Sequence, residues 1–151
     1  LLLEPVDVDK YEYVRLDIRE KWVAAMRPDD PFAKKAFVTA EDLAKVPIIM
    51  ARRSNVESEL GNWFGEYYKD LNVVFHSNLP SNGAVMVQQG LGYALTVEGI
   101  SDFLWDKGKI CVRPLHPVLE ASSVLAWKRQ QPFGRAAQKF IEHVRAAGRG
   151  E

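Results

Sequence analysis

Few residues in this chain have both the type and the spacing that chemistry needs. His76, His116 and His143 stand on separate segments, none with a second histidine four residues on, and Cys111 is the only cysteine. A zinc site wants three or four clustered ligands, so no metal is expected. Ser54, Ser77, Ser81, Ser122 and Ser123 lack the Gly-x-Ser-x-Gly elbow that exposes a nucleophile. Asp7, Asp9, Glu12 and Asp17 are scattered like a solvated loop rather than paired for acid–base work. Gly90-Leu91-Gly92 follows a helical stretch and precedes a strand, the reverse of a dinucleotide loop. It reads as a helix C-terminal turn with Gly90 in the left-handed conformation. The sequence therefore specifies neither catalysis nor a cofactor.

Binding is better represented. Ala51-Arg52-Arg53-Ser54 follows an apolar strand and leads into a helix, and His76-Ser77-Asn78-Leu79 does the same ahead of Pro80. Ligands of open α/β sheets sit beyond strand carboxyl ends, near helix N-termini. The free N–H groups and positive dipole end there favour an anion by ~0.3–1 kcal/mol when exposed. Arg53 adds a charge-assisted and bidentate partner for a carboxylate. The plainer reading is that Ser54 and Asn78 only cap their helices while both arginines lie in water.

The elements that must position these residues follow from periodicity. Leu1–Leu3 is a strand end, and Tyr11–Met26 alternates into the apolar run Trp22–Met26. Pro28-Asp29-Asp30-Pro31 is a turn; Thr39 then caps a short helix, with Asp42 in its first turn. Strands are expected at Val46–Met50, Leu71–Phe75, Tyr93–Val97, Ile110–Leu115 and Ser122–Lys128. Ser54 and Glu57 form a capping box, and Val56, Leu60, Trp63, Phe64 and Tyr67 line one face of the helix that follows. Pro80 opens a further helix, and Arg135–Ala147 forms the last, with Phe140, Ile141 and Val144 facing inward. Alternating helices and strands predict an α/β fold with a mostly parallel sheet.

The bulk numbers exclude some classes. Of 151 residues, 47% are hydrophobic and 26% charged, and 20 basic side chains balance 20 acidic ones. A domain that grips a phosphate backbone by itself usually carries a basic excess. The lone Cys111 allows no intrachain disulfide, is read as a buried thiol, and fits a reducing compartment. No apolar run approaches the ~20 residues needed to span a membrane. Leu1-Leu2-Leu3-Glu4-Pro5 lacks a signal peptide's basic region and reads as a strand cut within a longer protein.

Several motifs together resemble the effector-binding domain of LysR-type transcription regulators. Trp22–Ala33 is similar to that family's strand and turn. Val38-Thr39-Ala40-Glu41-Asp42-Leu43, followed by Val46-Pro47-Ile48-Ile49, resembles its "P-E-D-L … P-x-I" segment. Val87-Gln88-Gln89-Gly90-Leu91-Gly92-Tyr93-Ala94-Leu95 resembles its helix–turn–strand, and Pro114-Leu115, Trp127-Lys128 and the final helix resemble its end. Thr96-Val97 departs from the Leu-Pro-like ending that many members carry.

The resemblance implies a periplasmic-binding-protein-like (type 2) two-lobe fold, one lobe complete and the other partial. Residues 1–17 and 125–151 would belong to the first lobe and 18–124 to the second, with the effector in the cleft between them. By position, Leu3, Arg53, Ser54, Asn78, Leu79 and Thr96 would line that cleft. The implied protein is a cytoplasmic homo-oligomer, dimer or tetramer. It would sense a small, anionic metabolite and reach DNA only through an N-terminal helix-turn-helix absent from this sequence. A transport solute-binding protein or an enzyme would share the fold, which alone does not choose among them. If Leu1–Leu3 and the Phe140 face were both built to be covered, association would run through Leu1–Asp17 and the last helix.

Overall fold

The computed structural model describes residues 1–52, 54–99, 106 and 108–147, with Ser54 and Asn55 described by their backbone alone. Its strands are β1 (Leu2–Leu3), β2 (Tyr11–Met26), β3 (Val38–Thr39) and β4 (Pro47–Ala51), then β5 (Asn72–Ser77), β6 (Tyr93–Val97), β7 (Cys111–His116) and β8 (Glu120–Lys128). Its α-helices are α1 (Ala40–Ala44), α2 (Ser54–Phe64), α3 (Pro80–Gln88) and α4 (Arg135–Ala147). The chain divides into two compact units, Leu1–Arg19 with Ser122–Glu151, and Glu20–Ala121. The boundaries fall inside β2 and β8.

In the first unit β1 pairs antiparallel with β8, Leu3 opposite Ser123. The start of β2 lies beside the end of β8, where the Arg129 N–H donates to the Lys10 carbonyl at 3.0 Å. Helix α4 buries less than its pattern suggests. Ala137, Ile141 and Val144 form a half-buried stripe, while Phe140 is 57% exposed. The expected inward face thus holds for two of its three residues.

The second unit is built on one mixed sheet in the order β5-β4-β6-β2-β7-β3. Strands β4, β5 and β6 run parallel, and the apolar end of β2 is antiparallel to both β6 and β7. Strands buried on both faces read as continuous apolar runs; Trp22–Met26 and Ile48–Met50 are such runs, all buried. Ala25, Ile49 and Ala94 pack with Ala84 and Val87 of α3. Alternation turns Ile48, Met50 and Leu95 the other way. Burying each large side chain contributes roughly 1.5–3 kcal/mol, and Leu43, Leu60 and Phe64 are among the most completely buried.

Local chemistry sets the element ends. Thr39 Oγ1 accepts from the Asp42 N–H and the Asp42 carboxylate accepts from the Thr39 N–H, both at 3.2 Å, so α1 starts on a complete capping box. Gly90 adopts φ +71 after α3; its N–H donates to the Val87 carbonyl, and that of Leu91 to Met86. Those two bonds make a Schellman end, the turn expected of this glycine. No helix among the described residues is long and apolar enough to cross a membrane.

Candidate ligand-binding rim

The order β5-β4-β6 determines where a ligand fits in the second unit. From β4 the chain moves to one side to make β5, then returns past β4 to make β6. Right-handed crossovers, the near-universal hand, then place α2 and α3 on opposite faces. Connections leaving to opposite faces open a crevice beyond the strand carboxyl ends, the topological switch point. Here those ends are Ala51, Ser77 and Val97. Ala51 stands in register with Ser77, and the Arg52 N–H donates to the Ser77 carbonyl at 3.2 Å.

Three of the six expected site residues gather at the start of α3. Asn78 and Leu79 are exposed between β5 and the helix, Leu79 by 57%. Leu79, not Asn78, is the N-cap residue, and no side chain caps this helix. The capping role considered for Asn78 is therefore corrected: Pro80 at the first helical position shifts the cap to the residue before it. The Leu79 carbonyl accepts from the Asn82 and Gly83 N–H groups and from the Ser77 hydroxyl. Thr96 comes from below. Gly83 lies against Ala94 of β6, and alternation places Thr96 on that same face, two residues nearer the helix start. It is 7% exposed, the one polar residue buried among the described residues.

Leu3 belongs to the first unit, half-buried in β1. Arg53 lies outside the described residues. So does the side chain of Ser54, and with it the Ser54–Glu57 capping box, although α2 does begin at Ser54.

Sequence reasoning missed a polar cluster beside this rim. Glu57 in the first turn of α2 accepts from the Tyr68 hydroxyl at 3.4 Å, and its Oε1 lies 3.9 Å from His76 Nε2 on β5. Burial, reinforced by the Glu57 charge and that hydrogen bond, pushes the Tyr68 phenol above its ordinary pKa. The three residues come from a helix, a 3-10 segment (Gly65–Asp70) and a strand, so no local pattern in the sequence marked them. Glu59 of α2 holds a buried carboxylate oxygen with no hydrogen-bond partner, and burial raises its pKa.

No group of three metal-binding side chains occurs among the described residues. Cys111 is half-buried rather than buried, its thiol 3.7 Å from the Arg27 carbonyl, and burial raises its pKa. A thiol held protonated is a poor nucleophile.

The sequence matches the model of the LysR substrate binding domain over residues 1–149. No curated protein matches it. Solved structures of similar fold include the Synechocystis PCC6803 CcmR regulatory domain in complex with 2-PG, with TM-score 0.75 and 15% identity over 99% of this chain and 72% of that one. A putative LysR family regulator from Pseudomonas aeruginosa gives TM-score 0.73 and 23% identity over 99% of this chain and 52% of that one. The effector binding domain of QuiR in complex with shikimate gives TM-score 0.72 and 15% identity over 92% and 66%. This chain thus spans about half the length of the Pseudomonas regulator.

Proposed function

From the premise that this chain belongs to the LysR substrate binding domain family, we propose that it is the effector-sensing part of a transcription regulator. Its fold is the periplasmic-binding-protein-like type 2 fold of that family. The observation that carries the reading is the rim of the second unit, where α3 starts without a side-chain cap at a switch point of the sheet. Pro80 has no N–H and those of Asn82 and Gly83 donate to the Leu79 carbonyl, so the Ser81 N–H is the first-turn group that would meet the anionic end of a small metabolite. Arg53 would supply a second, charged contact, and Asn78, Leu79 and Thr96 the shape around it. Ser54 and Leu3 complete the proposed set. Regulatory domains of the same fold bind 2-PG and shikimate, which supports a small-molecule effector over a transported solute.

The whole protein, in this reading, is cytoplasmic and reaches DNA through a separate helix-turn-helix. Residues 1–17 and 125–151 form one lobe and 18–124 the other. The effector shifts the population of an oligomer's states, which requires different affinities for those states. The protein is not an enzyme in this reading. Association is supported by exposed apolar surface: Phe140 on α4, and Phe75 and Val85 on β5 and α3. Among the described residues β5 pairs only with β4, and an open edge is a template for a second chain.

Calorimetry on the full-length protein against a panel of small carboxylates and phosphate esters tests the proposal. One of them should bind saturably and change the protein's affinity for its promoter. Turnover of a bound compound, or binding with no effect on DNA affinity, would overturn it.

A further inference from the structure

The Glu57–His76–Tyr68 cluster joins three elements of the second unit beside the carboxyl end of β5. Its assembly follows from register. Met50 of β4 stands opposite His76 of β5, so the two share a face of the sheet. Ile49 packs with Ala84 and Val87 of α3, which turns Met50 and His76 to the other face, where Glu57 of α2 approaches. Val56, Leu60 and Phe64 form the buried stripe of α2. Glu57 comes directly after Val56, in the first turn and at the margin of that stripe.

One oxygen serves both neighbours. Glu57 Oε1 accepts from the Tyr68 hydroxyl at 3.4 Å and stands 3.9 Å from His76 Nε2. Neither distance is that of a tight hydrogen bond, and the second is an ion pair only when the imidazole carries its second proton. Tyr68 keeps its own proton at neutral pH, because burial, then the Glu57 charge and the bond to it, push the phenol above its ordinary value. The elements packed against β5 hold no second imidazole. β4 and α3 have no ionisable side chain. α2 adds Glu59, whose pKa burial raises. The 3-10 segment adds Glu66, Tyr67, Lys69 and Asp70, and Arg52 and Arg53 follow β4. Histidine is the side chain that ordinarily changes charge between about pH 5 and 8. With His76 neutral the cluster carries the Glu57 charge alone; a proton on the imidazole cancels it.

We propose that Glu57 and His76 form a proton-operated latch, in which the imidazolium pairs with the carboxylate, ties the first turn of α2 to β5 and removes a negative charge beside the rim. In alkali the pair is lost and the Glu57 charge stands uncompensated. The latched turn begins at Ser54, directly after Arg53, and His76 precedes Asn78 by two residues. The latch therefore acts on both sides of the crevice proposed for the anion. Proton uptake and anion binding then strengthen each other, as linkage requires. That coupling rests on the effector reading of the rim; the latch itself does not.

The test is hydrogen exchange of the full-length protein, read by mass spectrometry over α2 and corrected for the intrinsic pH dependence of exchange. It is run at about pH 5.5 and about pH 8.5, near the two ends of the ordinary histidine range. At the lower pH, His76→Gln should reduce the protection of α2 about threefold, within the range for exposed ion pairs. Glu57→Gln should reduce it equally, and the double variant no further, because the two side chains act as one pair. At the higher pH all four proteins should coincide. Equal protection of wild type and His76→Gln at the lower pH, or additive losses, would overturn the latch. Sulfate, whose charge is constant over this range, then probes the coupling. Its half-maximal protection of α2 and α3 should need about threefold less sulfate at the lower pH, and His76→Gln should abolish that difference. A difference that survives in His76→Gln would overturn the coupling. Sulfate without effect at either pH would take down the rim reading and the coupling with it, and leave the latch standing.

Discussion

Gly92 lies against the backbone of Pro47, so closely that a Cβ at position 92 would stand 2.7 Å from the Pro47 carbonyl oxygen. This approach is where β6 comes alongside β4, with Tyr93 opposite Ile48. A backbone oxygen within a sheet has little room to retreat, so Gly92→Ala must displace one strand. The expected cost is ~1–3 kcal/mol, typical of forced overpacking. Urea denaturation should show a lower midpoint with an unchanged slope. Stability within the noise of wild type would mean that the two strands part easily.

That glycine was legible in the sequence as part of a turn, but not as a contact with Pro47. Elements set by local chemistry were read closely: β2 and α4 occupy the spans their patterns indicate. Strands whose ends depend on a neighbour were not. β5 continues through His76 and Ser77 because Met50 and Ala51 of β4 pair with them, and no periodicity in 71–77 announces that partner. Phe140 failed for a similar reason. A helical stripe shows which residues share a face, not which of them finds cover. The Glu57–His76–Tyr68 cluster needed the sheet register, which the sequence does not print.

Tyr93 also donates its hydroxyl to the Asp30 carboxylate, and Asp30 accepts from the Phe32 N–H at 2.8 Å. One side chain thereby ties the turn after β2 to the first residue of β6. Tyr93→Phe should cost ~1.5–3 kcal/mol, the range for a hydrogen bond to a charged group. The pH dependence has a definite sign. Burial, then the bond to Asp30 and its charge, raise the Tyr93 phenol above its ordinary value of 10.0. The folded state holds this proton more tightly than the unfolded chain, so the contribution is complete below pH 10 and is lost as pH rises beyond it. Melting curves of wild type and Tyr93→Phe should converge in strong alkali; a gap that widens there would refute the assignment.

Asp42 predicts the opposite end of the pH scale. Its carboxyl is partly buried, which raises its pKa. The Lys35 ammonium at 2.6 Å and the Thr39 N–H outweigh that and hold it below the ordinary 3.8. Stability from this site is therefore present above pH 3.8 and disappears as pH falls through the lower folded value. Thr39→Ala removes the hydroxyl that accepts from the Asp42 N–H, while the backbone N–H of residue 39 still donates to the Asp42 carboxylate, and should cost ~1 kcal/mol at neutral pH. Acid titration of wild type against Asp42→Asn by circular dichroism checks the pH dependence, and an Asp42→Asn deficit that persists undiminished below pH 3 would contradict it.

The rim yields the prediction on which the sensor reading depends most. Asn78 is exposed and caps no helix, so Asn78→Ala should leave the melting temperature essentially unchanged. Any loss of effector affinity in that variant then reports a contact rather than a damaged fold. The expected loss is ~0.5–1.5 kcal/mol, the net value of a hydrogen bond between neutral groups or to a solvated ligand. Arg53→Ala should lose more, ~1.5–3 kcal/mol, because a guanidinium–carboxylate bond is charge-assisted. Thr96→Val separates packing from bonding at the buried position, since it keeps the shape and removes the hydroxyl. If Thr96 reaches the ligand, affinity falls while stability changes little; if it serves only the core under α3, stability falls and affinity holds. Calorimetry on folded variants at low salt measures all three, and the ratio between Arg53→Ala and Asn78→Ala should shrink as salt screens the charge. Full affinity in both Asn78→Ala and Arg53→Ala would remove the α2–α3 rim as the effector site, whatever small molecule the protein binds.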